Sequence, residues 1–364
     1  MTTQSLKGKV FVGMSGGVDS SVSAALLQKE GYEVVGVFIK VWQADFLPCT
    51  WREERRDAMR VAAHLGLPLI TLDLEKEYKE EVVDYMIREY GEGRVPNPDV
   101  MCNKHVKFGA FLDFAKKNGA DYVATGHYAR VEYGGEHSLH KLLMGVDKEK
   151  DQSYFLWTLS GEQLAHTLFP VGHLEKKEVR RFAKEFGLPN AEKKDSQGLC
   201  FMGAVDMAEF LKHYLKTKEG SVLNVAGNVL GTHDGAMLYT MGQRHGFRTT
   251  KQHADEPPLF VVGKNIAQNT ITVAPRVDAS VKENSAVLMV KEVSDTLQTT
   301  LSEHAPLQCC ARIRYRGSLY KATLTLADVG CISVSLETAD EYVALGQSIV
   351  FYDGEEVLGG GVIT

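Results

Sequence analysis

The chain has 364 residues, 44% of them hydrophobic and 24% charged, and a net charge of −6. That length suits two or three domains, and the composition is that of a globular chain, neither fibrous nor disordered. No apolar run approaches the roughly 20 residues needed to cross a bilayer, the start Met1-Thr2-Thr3-Gln4-Ser5-Leu6-Lys7 lacks a signal-peptide core, and the acidic balance excludes a simple electrostatic binder of nucleic acid, which would be basic overall. A cytoplasmic location without membrane attachment is therefore expected, and any nucleic-acid surface must be a local patch.

From Lys9 to about Ala124, short apolar runs alternate with helical patterns. Val10 to Met14, Val34 to Phe38, Leu67 to Leu72 and Tyr122 to Ala124 are predicted buried strands; Ser20 to Glu30, Arg55 to Leu65, Tyr78 to Tyr90 and Val106 to Asn118 are predicted helices, with Gly31, Gly66 and Gly119 as C-terminal caps. This alternation predicts a doubly wound parallel sheet with ligands at the carboxyl ends of its strands. Glu162 to Leu215 is predicted helical and includes a basic amphipathic stretch, Lys176 to Lys184. After about Leu215, glycines, Val/Thr alternation and turn dipeptides such as Gly227-Asn228 and Asp353-Gly354 predict short strands. A linker is expected near Pro275 to Ser285. The expected domains are an α/β catalytic domain over 1–212, a small β-rich domain over 213–280 and a C-terminal β-barrel over 281–364.

The first strand runs through Gly13-Met14-Ser15-Gly16-Gly17-Val18-Asp19-Ser20-Ser21 directly into a helix. Two glycines let the backbone approach phosphate oxygens, the serine hydroxyls donate to them, and the helix N-terminus adds unpaired amides. The loop is neither a Walker A motif nor a dinucleotide GxGxxG. It resembles the S-G-G-x-D-S signature of PP-loop ATP pyrophosphatases, a resemblance that implies an adenine nucleotide alpha hydrolase-like fold. It also implies cleavage of ATP between its α and β phosphates, with Asp19 as a possible magnesium contact.

The six cysteines, Cys49, Cys102, Cys200, Cys309, Cys310 and Cys331, form no CxxC and no zinc-finger spacing. Two of them lie in distinctive segments. Arg94-Val95-Pro96-Asn97-Pro98-Asp99-Val100-Met101-Cys102-Asn103-Lys104-His105-Val106-Lys107-Phe108 and Asp195-Ser196-Gln197-Gly198-Leu199-Cys200-Phe201 resemble segments of the tRNA-specific 2-thiouridylases. Ala124 to Arg130, Lys150 to Leu156, Gly242-Gln243-Arg244 and Arg312 to Tyr315 match that family too, in family order.

Turning a uracil carbonyl into a thiocarbonyl requires the oxygen to become a leaving group, which adenylation achieves. Sulfur then arrives as a persulfide, and a second thiol can cleave the persulfide bond by thiol–disulfide exchange. The resemblance implies that Cys200 carries the persulfide, that Cys102 is the catalytic thiol and that Asp99 transfers a proton beside the target base. Both cysteines are expected on loops at one mouth. The other cysteines read as structural, since a lone cysteine is most often a small buried hydrophobe.

The resemblance also assigns Gly13, Met14, Ser15, Gly16, Gly17, Val18, Asp19 and Ser20 to the phosphates, Ile39 to adenine and Gly126 to a backbone contact with ATP. At the position of Ile39 methionine is commoner in the family, a change that keeps adenine packing. Asn97, Pro98, Asp99, Lys150, Asp151, Gln152, Arg314 and Tyr315 are assigned to tRNA or its target base. The expected activity is that of a tRNA-uridine 2-sulfurtransferase acting on the wobble uridine, with ATP and Mg2+, tRNA, and an upstream sulfur-donor protein such as a cysteine desulfurase or a relay carrier. An iron-sulfur cluster on Asp99, Cys102 and Cys200 ranks below the persulfide route, because three ligands without ferredoxin spacing are a poor match. A PP-loop ligase or amidotransferase adenylating a small metabolite is the alternative.

Overall fold

The computed structural model describes residues 7–134, 140–195, 200, 205–250, 257–275, 286–328, 330–337 and 343–364. The N-terminal part opens with β1 (Lys9–Gly13), α1 (Val18–Lys29), β2 (Glu33–Lys40), α2 (Trp51–Leu65) and β3 (Leu69–Asp73). Two longer helices follow, α3 over 75–91 and α4 over 98–117, and then β4 (Tyr122–Ala124). Val10, Phe11 and Val12 are all buried, as a strand covered on both faces requires, so β1 reads as an unbroken apolar run without alternation. Gly31, Gly66 and Gly119 follow their helices at φ of 92°, 67° and 75°, the left-handed region where glycine ends a helix at no steric cost.

Beyond β4 the chain leaves the sheet as a hairpin, β5 (Ala129–Glu132) and β6 (Lys141–Met144), and returns through α5 (Gly161–Ala165) to a short strand, β7 (Thr167–Leu168). The sheet order is β3-β2-β1-β4-β7, all parallel. Strand order reverses between β1 and β4, so the crevice at their carboxyl ends is the topological switch point. The segment expected to be helical over 162–215 is thus interrupted by β7, whose two residues are too few to show periodicity. Its helices are α5, α6 (Lys176–Glu185) and α7 (Met207–Lys212).

Five strands, β8 (Gly220–Leu223), β9 (Val229–His233), β10 (Arg248–Thr249), β11 (Leu259–Asn265) and β12 (Thr270–Pro275), make a second sheet of order β10-β9-β8-β12-β11. The expected linker begins at Pro275, the last residue of β12, and the rest of it lies outside the described residues. The C-terminal strands are β13 (Ala286–Lys291), β14 (Leu307–Arg312), β15 (Tyr320–Leu326), β16 (Ile332–Leu336), β17 (Ser348–Asp353) and β18 (Glu356–Ile363). They close into a barrel when β13 pairs antiparallel with β18 at Val290↔Ile363. The β5–β6 hairpin extends that barrel at Leu143↔Glu356. A piece of the N-terminal chain is therefore built into the wall of the C-terminal domain.

The two domains are locked by charge as well as by backbone. Asp151, with its side chain 2% exposed, accepts hydrogen bonds from the Gly145 and Ser153 amides and pairs with Arg312 Nη1 at 2.9 Å. The Tyr154 hydroxyl donates to the Ser348 carbonyl at 2.7 Å, and Gln347 donates to the carbonyls of Val95 and Pro96. These contacts hold the barrel against the segment that leads into α4.

Candidate active site

The loop after β1 is shaped to receive an anion. Gly16 has φ +74°, and a Cβ there would lie 2.5 Å from the Glu54 carbonyl oxygen, so only glycine fits. The Ser21 hydroxyl donates to the Gly17 carbonyl at 2.8 Å, and the Asn190 amide donates to the Gly16 carbonyl at 3.0 Å. α1 begins at Val18, leaving its first amides free of intrahelical partners. From the other side of the switch point, Gly126 presses on the start of α1: a Cβ on it would lie 2.7 Å from the Ser20 amide nitrogen. Gly13 to Ser20 and Gly126 are therefore brought together. Met14 is buried, and Ile39 is buried near the carboxyl end of β2 among Val37, Val41 and Leu74.

Asp19, in the first turn of α1, accepts from the Tyr128 hydroxyl at 2.8 Å and from Lys176 Nζ at 2.7 and 2.9 Å. Lys176 also pairs with Asp195 at 2.9 Å, and Asp195 binds Lys150 at 2.8 Å and Arg180 at 2.6 Å. Burial works against the charge on Asp195, but hydrogen bonds from Lys150 and Lys176 outweigh it and hold its carboxyl well below the usual range. A magnesium ion in a nucleotide site takes one or two carboxylates and completes its shell with phosphate and water. Asp19 suits that requirement: it is a partly exposed carboxylate beside the loop, and it already draws a cation. Among the described residues no cluster of three or more His, Cys, Asp or Glu is arranged to hold a metal ion by itself.

The second group is built on α4. Pro98 occupies its first position and the Asn97 side chain accepts from the Val100 amide, a cap and an N1 proline that together start a helix. Cys102 is consequently helical, against the expectation of a loop, and the helix begins eight residues before its predicted start at Val106. The apolar pattern starts at Val106, whereas the helix starts at its cap. Over Cys102–Ala110 the helix widens to π-type hydrogen bonding, a distortion common at functional sites.

Cys102 is fully buried and its thiol donates to Cys200 Sγ across 3.6 Å. Asp99 Oδ1 accepts from the Cys200 amide at 2.9 Å, and the Tyr78 hydroxyl donates to the Cys200 carbonyl at 2.8 Å. Asp99, Cys102 and Cys200 thus form one cluster. Ser196, Gln197, Gly198, Leu199 and Phe201, which flank Cys200 in its motif, lie outside the described residues.

The environment splits the two thiols. Burial pushes the Cys102 thiol well up, and the neighbouring Cys200 adds to the effect. The hydrogen bond from Cys102 and the charge of Lys107 outweigh burial at Cys200 and bring it down to about 7. Burial raises the Asp99 carboxyl, opposed by the Cys200 amide and Lys107.

Asn97, Pro98 and Asp99 line a cleft of about 360 Å³ whose far wall, with Arg314 and Tyr315, belongs to the barrel. Tyr315 lies 4.5 Å, centroid to centroid, from Phe155. Lys150, Asp151 and Gln152 do not line this cleft. Lys150 is paired to Asp195, Asp151 is buried at the domain junction, and Gln152 Oε1 accepts from the Tyr128 amide. Lys107, His127, Tyr128, Lys176, Asn190 and Asp195 had no assigned role in the sequence reading. Four of them stood inside the quoted motifs, Lys176 stood in the basic helix, and Asn190 carried no signal.

Three family models match in succession. They are the tRNA methyl transferase HUP domain over 8–204, the tRNA methyl transferase PRC-barrel domain over 208–275 and the Aminomethyltransferase beta-barrel domain over 285–363. The tRNA-specific 2-thiouridylase MnmA of Streptococcus equi subsp. zooepidemicus is 45% identical over 100% of this chain and 96% of its own. The tRNA-specific 2-thiouridylase MnmA 2 of Geobacillus kaustophilus is 46% identical over 98% of this chain and 94% of its own. A solved 4-thiouridine synthetase in complex with RNA and ATP is 20% identical, covers 57% of this chain and 50% of its own, and has a TM-score of 0.36, too low to support an argument. Full-length identity at the level of the two curated relatives, with the three models in register along the chain, shows that the protein belongs to the tRNA-specific 2-thiouridylase family.

Proposed function

We propose that this protein converts the wobble uridine of tRNA anticodons to 2-thiouridine, acting as an ATP-dependent tRNA-uridine 2-sulfurtransferase. The observation that carries the reading is the 3.6 Å approach of Cys102 and Cys200 beside Asp99. Membership of the family supplies the tRNA and the reaction class.

ATP lies across the switch point, its phosphates on Gly13 to Ser20, its adenine toward Ile39 and a backbone contact at Gly126. Magnesium held by Asp19 would screen the phosphate charge. The target base, flipped from the anticodon loop, enters the cleft between Asn97 to Asp99 and Arg314 with Tyr315, where an aromatic face and a guanidinium suit a base and its phosphate. Lys150, beside the Asp195 network, adds positive charge toward the backbone of the RNA, and Gln152 acts through the segment at Tyr128. The buried Asp151 serves by holding the barrel wall in place.

The uracil O2 attacks the α phosphorus of ATP, forming an O–P bond as pyrophosphate leaves. The terminal sulfur of a Cys200 persulfide then attacks C2 and AMP departs with the former carbonyl oxygen. Cys102, as thiolate, attacks Cys200 Sγ, so the S–S bond to the base breaks and 2-thiouridine leaves. The cysteines are left as a disulfide, which an external dithiol reduces. A carboxyl raised by burial suits Asp99 to exchange a proton with the base. The persulfide is supplied by a cysteine desulfurase or a relay carrier. The presence of Lys107 among the thiols favours this relay over an iron-sulfur cluster, since a cation there opposes a bound metal.

The test is nucleoside mass spectrometry of tRNA treated with protein, ATP, magnesium and a persulfide donor. 2-Thiouridine should form with the intact protein and vanish in Cys200→Ser. ATP consumption with ammonia and a small metabolite, without tRNA, would instead identify a PP-loop ligase.

A further inference from the structure

Two thiols 3.6 Å apart, one buried and one partly buried, share one problem: both cannot ionise, and the reaction needs one of them to be a thiolate before the other. Cys200 is in contact with solvent and Cys102 is not, so a sulfur donor reaches Cys200. Something must place the negative charge on the sulfur that the donor reaches.

Lys107 stands five residues beyond Cys102 on α4, within the π-type stretch Cys102–Ala110, about one turn further along and so on the same side of the helix. Its ammonium hydrogen-bonds Cys200 and acts electrostatically on both sulfurs and on Asp99. Behind it, Nζ lies 3.3 Å from His127 Nε2, and His127 Nδ1 lies 2.7 Å from Thr125 Oγ1. An ammonium has no lone pair, so Nε2 must be the acceptor and Nδ1 must carry the ring proton and donate it to Thr125. His127 is buried and neutral in this arrangement, its pKa held well below the usual histidine range by burial and by Lys107. The ring is thus a fixed acceptor that aims the lysine without competing for its charge. Thr125 and His127 flank Gly126, so the segment that meets the nucleotide loop also orients the lysine.

We propose that Lys107, oriented by neutral His127, is the cation that makes Cys200 the thiolate of the pair and so selects it as the sulfur acceptor. Once Cys200 has taken up sulfur, the same ammonium faces the remaining thiol, Cys102, and favours its ionisation for the step that releases the product. The other groups around Cys200 do not supply this charge. Cys102 is a neutral donor, Asp99 is anionic or neutral, and the Tyr78 hydroxyl, which burial pushes far up, stays protonated. The assignment of Cys200 as sulfur acceptor rests on the proposed function, whereas its ionisation can be measured without any tRNA.

The experiment follows iodoacetamide alkylation of the Cys200 peptide against pH by mass spectrometry in the full-length protein. The wild type should show a midpoint near 7. Lys107→Met, which removes a cation and leaves a side chain of similar length, should move the midpoint up by about one pH unit or more, and Lys107→Arg should restore most of it. His127→Leu should move it up by a smaller amount, and it replaces Lys107→Met as the decisive variant if the latter fails to fold. An unchanged midpoint in a folded Lys107→Met overturns the proposal, as does an equal rise in Lys107→Arg. Absence of 2-thiouridine formation by the wild type would overturn the proposed function and leave the midpoint result standing.

Discussion

Cys102 Sγ and Cys200 Sγ lie 3.6 Å apart, the first on α4 and the second on a turn tied down by Asp99 and Tyr78. That proximity makes the two thiols separable by mutation. In Cys102→Ser the persulfide can still attack C2, but nothing then breaks the S–S bond to the base. Turnover should fall at least about 10³-fold, and a covalent protein–tRNA adduct that dithiothreitol releases should accumulate on denaturing gels. Cys200→Ser should give neither product nor adduct.

Gly126→Ala should damage nucleotide binding. The added Cβ meets the Ser20 amide nitrogen at 2.7 Å, closer than real contacts allow, so the start of α1 must shift and the amides proposed to hold phosphate lose their aim. A shift of this kind should weaken ATP binding by about tenfold or more, or roughly 1.4 kcal/mol. Calorimetric titration with ATP checks this, and unchanged ATP affinity would show that the close approach of Gly126 to α1 is not needed for the nucleotide.

Tyr315→Ala should separate tRNA from ATP. The ring lines the cleft with Arg314 and packs on Phe155, and stacking of a base on an aromatic ring contributes about 1 to 3 kcal/mol. The KM for tRNA should rise about tenfold or more with the KM for ATP unchanged. A rise in both would show that the ring supports the fold, not the RNA.

Asp151→Asn and Arg312→Met each break a buried pair whose side chains are 2% and 12% exposed. Removing one partner leaves the other charge without compensation, at a cost of about 3 kcal/mol. Urea unfolding should show the double variant losing less stability than the sum of the two single variants, because the double variant strands no charge. Additive losses would show that the pair is not what locks the segment of Asp151 to the barrel.

Much of the fold was legible along the chain. Four of the five strands of the parallel sheet were apolar runs, although β3 proves to be an edge strand with none of its residues fully buried; the glycine caps sat where the helices end, and the loop at Ser15 to Ser21 read as an anion site. The early start of α4 was missed because Asn97 and Pro98 look like loop residues until a helix is seen beginning on them. β7 was missed because two residues show no period, and the hairpin at 129–144 because its partner strand, β18, is more than 200 residues away.

The sequence by itself determined the local chemistry: a glycine-serine loop, two cysteines in distinctive segments, and a carboxylate three residues before one of them. It did so because those signals are carried by residue type and short spacing. Which groups meet was decided by tertiary structure alone. Cys200 meets Cys102, Lys107 reaches Cys200 and is held by His127, and Lys176 joins Asp19 to Asp195. Proton positions and charges in a partly buried cluster depend on distance and desolvation across elements far apart in the chain, and neither is written into any one segment.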